Sequence, residues 1–236
     1  AGITPWNFPI AMVTRKVAPA YAAGCSFVLK PSEHTPLCAL ALAYLADQAG
    51  FEKGAFNVLL SENAKMVGEL LTESELVRKF TFTGSTGVGK QLLAQCAPTI
   101  KRTSMELGGN APFIIFDNAD LDEAVTGLMG AKFRNGGQTC VAANRIFVQR
   151  SVLDQVVDKL AKKVTALKVG NGLDDATDIG PLIYPKAKQK VQELVADAKA
   201  KGAVQIGDNV ELGGNYQAPL ILNGVTAEMD IYHQEV

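Results

Sequence analysis

The sequence predicts an α/β protein, a doubly wound parallel sheet followed by a second α/β domain, and three observations carry that expectation. Short apolar runs alternate with longer helical segments, as where Phe27 to Lys30, "FVLK", is followed by "PSEHTPLCALALAYLADQAG". Strands alternating with helices are joined by crossovers, lie parallel and carry helices on the faces of their sheet. The run at Phe27 to Lys30 is apolar at successive rather than alternate residues, the pattern of a strand buried on both sides. A length of 236 residues at 47% hydrophobic content suffices for one large core or two modest ones. The glycines Gly108 and Gly109 offer a crossing point, so we expect a first domain over 1–107 and a second over 108–236.

Taken in order, "AGITPWNFP" reads as part of a strand and a turn, in which Pro5 and Pro9 fix their own φ and bias their predecessors toward extended geometry. After the strand at Phe27 to Lys30, Thr35 stands as N-cap with Pro36 in the first helical position, Leu37, Leu40, Ala41, Tyr44 and Leu45 form one apolar stripe, and Gly50 ends the helix. A strand over Phe56 to Leu60, a helix over Ala64 to Leu71, a strand over Lys79 to Thr83 and a helix from Thr86 to about Cys96 continue the alternation, and "KRTSMEL" extends again to Glu106. In the second half, Phe113 to Phe116 is a buried strand, and Asp120 with Glu123 resembles a capping box for a helix reaching Lys132. A strand near Arg145 to Gln149, helices over Val152 to Leu167 and Pro185 to Lys201, and strands near Val204 and Leu220 complete the chain.

Composition narrows the function. A net charge of -1, from 23 basic and 24 acidic residues, supplies no field for nucleic acid or an anionic membrane, which leaves small molecules or copies of the same chain as partners. No run approaches the ~18 apolar residues of a membrane span. Cys25, Cys38, Cys96 and Cys140 lack CxxC spacing, so neither a metal site nor a disulfide framework is indicated, and a cytoplasmic location is the expectation. Both ends look cut, since the first residues read like the middle of an element and "YHQEV" stops without a cap.

The candidate chemistry starts at "FRNGGQTC", which sets Cys140 behind two glycines, a glutamine and a threonine, with little apolar material around the sulfur. A structural thiol usually sits among core side chains, whereas flanking glycines let backbone approach a substrate; a reactive thiol and an ordinary loop cysteine both fit. Asn7, between two prolines, is either a turn-forming amide or an N–H aimed at developing negative charge. Ligands of doubly wound sheets bind beyond the carboxyl ends of the strands, which singles out Lys30 to Glu33 and Gly84 to Gly89. Lys30 suits a ribose or phosphate oxygen and Glu33 suits ribose hydroxyls, although both also read as solvated loop charges. "GSTGVG" lacks the middle glycine of a dinucleotide fingerprint, and Gln91 stands where a Walker A motif needs Ser or Thr, so an ATPase is disfavoured.

The ordered set "PWNFP", "KPSEHTP", "FTGSTGVG", "ELGGNAP" and "GQTC" resembles the aldehyde dehydrogenase superfamily along essentially the whole chain, and "AMVTRK" with "KFRNGGQTCVAANR" is most similar to its succinate-semialdehyde members. The resemblance implies a partial NAD-binding domain and a partial catalytic domain, with about half of a family member missing. It implies that Cys140 is the nucleophile, that Asn7 and the Cys140 backbone N–H form the oxyanion hole, and that Glu106 activates water. Lys30, Glu33, Gly84 and Ser85 would hold the adenine ribose and pyrophosphate, and Glu235 the nicotinamide ribose. Glu33 favours NAD, with NADP possible. Arg15 and Arg134 match carboxylate-binding arginines, which points to an aldehyde with a distal carboxylate; glutarate semialdehyde is an alternative to succinate semialdehyde, and a nucleotide-binding fragment without turnover is another. No metal is implied, and the full-length form is expected to be a homo-oligomer. Ala142 stands where some relatives carry a second cysteine able to form a disulfide with the nucleophile.

Overall fold

A computed structural model describes residues 1–207 and 212–236 of the chain. It divides into two compact units, Ala1–Gly108 and Gly109–Val236.

The first unit is a five-stranded parallel sheet. Its strands are β1 (Gly2–Ile3), β2 (Phe27–Lys30), β3 (Phe56–Val58), β4 (Lys79–Gly84) and β5 (Arg102–Leu107), in the spatial order β3-β2-β1-β4-β5. The helices α1 (Ala11–Ala22), α2 (Pro36–Gln48), α3 (Ala64–Glu73) and α4 (Thr86–Cys96) connect them. Side chains alternate across a strand, so each strand feeds two cores. Phe27 and Leu29 of β2 pack with Val13 and Val17 of α1 and Ala39 of α2, while Val28 packs with Val67 and Leu71 of α3, Leu92 of α4 and Phe80 and Phe82 of β4. The winding is therefore double, with α1 and α2 on one face and α3 and α4 on the other. The chain order reverses beside β1, and at such a reversal a crevice opens at the carboxyl ends of the strands.

The structure departs from the sequence-based expectations for this unit at three places. Residues 11–22, for which the sequence predicts no element, form a helix even though Pro19 lies inside it. Pro19 falls in the last turn, where its effect on the ladder is confined to the helix end. The apolar stripe of α2 does not face the core: Leu37 is 76% exposed and Tyr44 64%, whereas Ala39 is 1% exposed and Leu42 packs beside it. The small Ala39 lets the helix lie close to the bulky Phe27 and Phe56, a fit that the longer stripe residues would obstruct. The strand β3 also stops at Val58, leaving Leu59 and Leu60 outside it and exposed.

The second unit holds two small sheets. The strands β6 (Ala111–Ile115) and β7 (Ala143–Val148) pair in parallel, joined through α5 (Leu121–Phe133). Asp120 caps α5 by accepting from the backbone N–H groups of Asp122 and Glu123 at 3.0 and 3.1 Å. Ile115, Val125 and Leu128 form a core with Val156, Leu160 and Val164 of α6 (Leu153–Thr165). Beyond it lie α7 (Pro185–Ala200), the antiparallel pair β8 (Val204–Ile206) and β9 (Ile221–Asn223), and the short α8 (Asp230–His233), packed around Ala198, Ala203 and Met229. Among the described residues no helix is long and apolar enough to cross a membrane.

Because Leu29 is fully buried at the centre of the first unit, Leu29→Ala should lower unfolding free energy by about 2–5 kcal/mol. Chemical denaturation of the variant beside the parent protein checks this.

Candidate functional site

The carboxyl edge of the first sheet gathers most of the residues singled out from the sequence. The turn holding Asn7 leaves β1, and Thr4 anchors its start by donating its backbone N–H to the Lys30 carbonyl at 3.2 Å. The hydroxyl of Thr35 does not cap α2; it donates to the Trp6 carbonyl at 3.5 Å and so ties this turn to the start of the second helix. Lys30 ends β2 with its side chain 2% exposed and its ammonium 2.6 Å from the Glu33 carboxylate. Burial works against the charge on Glu33, but the hydrogen bond from Lys30, a backbone hydrogen bond and the nearby positive charges outweigh it and hold the carboxyl below its ordinary range.

Gly84 ends β4, where an added Cβ would collide with the Phe82 ring, and exposed Ser85 is the N-cap of α4 without capping it through its side chain. The first N–H groups of α4 consequently carry no side-chain cap. Gly89 serves packing, since a Cβ there would stand 2.5 Å from Leu107 Cδ2. Glu106 is exposed and pairs in register with Thr83 across the β4–β5 ladder. Arg15 lies exposed on α1, with its guanidinium 3.9 Å from Met12 Sδ.

Two buried hydroxyls at this edge, those of Thr4 and Thr83, have no hydrogen-bond partner. An unmade buried hydrogen bond costs about 1–3 kcal/mol, so each hydroxyl favours an external polar partner, whether water or ligand. With the N-terminus of α4 and the Lys30–Glu33 pair at the same sheet edge, the donors and acceptors suit the pyrophosphate and ribose of a dinucleotide. Among the described residues no group of three or more His, Cys, Asp or Glu is arranged to hold a metal ion.

In the second unit Cys140 follows an unusual turn. Arg134–Gly137 form a short 3-10 segment that runs on from α5, and Asn135, Gly136 and Gly137 take φ of 53°, 63° and 78°. Glycine enters the left-handed region freely, and asparagine tolerates it. Gly137 must also lack a side chain, because a Cβ would stand 3.1 Å from the Lys132 carbonyl. Downstream, the Gln138 side chain accepts from the Ile183 N–H at 3.0 Å, and the Thr139 hydroxyl accepts from the Val141 N–H at 3.2 Å. Cys140 itself is half-buried and carries a free thiol. Arg134 is exposed at the start of the turn, and the carbonyl of Glu235 accepts from Lys190 Nζ at 2.6 Å.

Sequence reasoning missed two lysines. Lys16, on the buried side of α1, is 8% exposed and donates to Thr81 Oγ1 at 2.9 Å. Burial pulls its pKa down to about 8 against the opposing pull of Glu106. Lys132, in the last turn of α5, is likewise held at about 8 by burial, opposed by Glu235. The signal was present, because Lys16 continues the apolar spacing of Met12, Val13 and Val17, and Lys132 that of Val125 and Leu128.

The aldehyde dehydrogenase family model matches residues 1–236. The chain is 55% identical to the 3-sulfolactaldehyde dehydrogenase of Pseudomonas putida, and 55% identical to the NADP-dependent succinate-semialdehyde dehydrogenase of Escherichia coli, over 100% of its length and 49% of theirs. It is 56% identical to the glutarate-semialdehyde dehydrogenase of Pseudomonas aeruginosa, over 94% of the chain and 46% of that protein. Among solved structures it superposes on an aldehyde dehydrogenase from Brucella melitensis biovar abortus with a TM-score of 0.95 at 56% identity, covering 98% of this chain and 47% of that one. The chain spans about half the length of the curated relatives it matches.

Because Lys16 and Lys132 have folded pKa values near 8 against 10.5, the unfolded chain binds more protons between those values. Stability should therefore rise as pH climbs from about 8 toward 10.5 and level off below 8. Lys16→Met should flatten part of that rise in denaturant melts taken across the range.

Proposed function

The chain belongs to the aldehyde dehydrogenase family, and from that premise we propose that the protein oxidises a short aldehyde bearing a distal anionic group, succinate semialdehyde foremost, with NAD or NADP as hydride acceptor. The observation that supports this most is that one sheet edge carries Asn7, Glu106, the Lys30–Glu33 pair and two orphaned hydroxyls. The reading includes a cytoplasmic, homo-oligomeric protein.

In this reading the Cys140 thiolate adds to the aldehyde carbon and the carbonyl electrons move to oxygen. The Asn7 side-chain amide and the Cys140 backbone N–H donate to that oxyanion, and donors fixed in advance need no reorganisation when the charge develops. A bound nicotinamide supplies the place to which the hydride departs. The oxyanion then collapses to a thioester on Cys140. Glu106 takes a proton from water, whose oxygen attacks the thioester and releases the acid and the Cys140 thiolate. The Lys30–Glu33 pair, Gly84, Ser85 and Glu235 hold the cofactor, with Thr4 and Thr83 offering hydroxyls beside them.

Arg15 and Arg134 are assigned to the distal anion, because a guanidinium meets a carboxylate through two parallel hydrogen bonds. That fork fixes charge better than chain length. Relatives named for succinate semialdehyde, glutarate semialdehyde and 3-sulfolactaldehyde accordingly keep a five-carbon acid and a sulfonate in view as second substrates.

NADH or NADPH formation, followed by absorbance over a ladder of semialdehydes, tests the reading in the protein carrying this sequence. Preference for an uncharged aldehyde would sink the anion pocket. Asn7→Ala should lower kcat on the order of 10²–10³-fold. Cys140→Ala should abolish thioester formation while cofactor still binds. Glu106→Gln should leave a rapid first turnover followed by a slow steady state, whereas loss of that first burst with normal cofactor binding would count against its role.

A further inference from the structure

Lys132 is a half-buried cation that the reaction above does not use. It extends the core stripe of α5, where Val125 is 0% exposed and Leu128 1%, and an apolar residue would continue that stripe at no desolvation cost. Its ammonium donates to Asn144 Oδ1, near the start of β7, at 2.7 Å. The Asn144 amide in turn reaches the Gly109 carbonyl at 3.5 Å. Gly109 is packed against the nucleophile's own backbone, since a Cβ built on it would stand 3.6 Å from the Cys140 carbonyl oxygen. From the other side, a Cβ on Gly137 would lie 3.7 Å from Lys132 Nζ. One ammonium thus sits inside a ring formed by the end of α5, the left-handed turn, Cys140, Gly109 and Asn144, all within the second unit.

We propose that Lys132 is a positioning residue for the nucleophile: through Asn144 and Gly109 it fixes the turn that delivers the Cys140 sulfur and its backbone N–H. The identity of Cys140 as nucleophile rests on the functional reading above; the mooring of the loop by Lys132 does not. Burial lowers the pKa of Lys132 to about 8 and the charge of Glu235 raises it, so the ammonium keeps its proton at neutral pH and donates to Asn144. The neutral Asn144 oxygen accepts without cancelling the charge, which leaves the lysine under the influence of a second residue assigned to the site.

The test compares Lys132→Met, which keeps length and apolar bulk, with Lys132→Arg, Asn144→Ala and the Met/Ala double variant. Lys132→Met and Asn144→Ala should each slow the first-turnover burst on the order of 10-fold to 100-fold, because small misplacements of a reacting group have effects of that size. NAD affinity should be unchanged, Lys132→Arg should recover most of the rate, and the double variant should be no slower than either single. A burst within about twofold of the parent would overturn the proposal, as would a rate loss explained wholly by weaker NAD binding. Should the parent protein oxidise no aldehyde, the functional reading fails by itself and amide hydrogen exchange still decides about Lys132. Residues 134–140 should then exchange about tenfold faster or more in Lys132→Met, with α5 unaffected; unchanged exchange there refutes the mooring.

Discussion

The geometry of the first unit hangs on the ladder between β1 and its two neighbours. The strand β1 has two residues, Gly2 and Ile3, yet it is central, pairing in parallel with β2 on one side and β4 on the other. Close approach makes this possible. A Cβ on Gly2 would stand 2.8 Å from both Phe27 Cζ and Thr81 Cγ2, so only glycine lets the flanking strands close over so short a segment. The turn carrying Asn7 emerges directly from this ladder at the point where the winding reverses. Pro5 and Pro9 restrict its backbone, Thr4 joins it to Lys30, and Thr35 joins it to the start of α2. The direction in which Asn7 can present its amide follows from main-chain pairing and proline geometry before any side-chain contact is considered.

The lysines Lys16, Lys30 and Lys132, the first two buried and the third half-buried, fall into two electrostatic kinds. Lys30 is neutralised in contact by Glu33, a short bond that defines the position of the carboxylate as much as that of the ammonium. Lys16 and Lys132 instead end on neutral oxygens, Thr81 Oγ1 and Asn144 Oδ1, and feel carboxylates only through space. A buried charge satisfied by a neutral acceptor keeps most of its field, since no counter-ion in contact cancels it. The carboxylates concerned, Glu106 and Glu235, are the two acidic groups that the functional reading assigns to water activation and to the nicotinamide ribose. Each unit therefore sets a desolvated cation within the field of one of these carboxylates, and each does so from the inward stripe of a helix.

Much of the fold was legible because apolar runs and caps report local physics directly. "FVLK", "KFTFTG" and the Asp120 cap specify their elements without help from the rest of the chain. What was not legible depended on partners. In α2, periodicity located a stripe but could not say that the thin Ala39 side would be preferred over Leu37 and Tyr44, a choice made by the size of Phe27 and Phe56 across the interface. Pro19 concealed α1 because a proline ends most helices, and only position within the last turn makes it harmless. For the site, Cys140, Asn7 and Glu106 stood out by motif, whereas Lys16 and Lys132 were marked only by falling in register with apolar helix positions. Thr4 and Thr83 had no sequence signal at all, since an orphaned hydroxyl is a property of the finished packing.

The run of left-handed residues before Cys140 also limits how this loop can change. Asn135, Gly136 and Gly137 occupy consecutive positions that side chains with a Cβ resist, and Gly137 is further confined by the Lys132 carbonyl. Variation tolerated in the loop is thus pushed outward to its ends, to Arg134 on one side and Val141 on the other, both exposed. Descendants of such a sequence would diversify what they accept by altering the rim while the path of the backbone stays fixed, so that new chemistry of recognition could arise around an unchanged hinge of glycine.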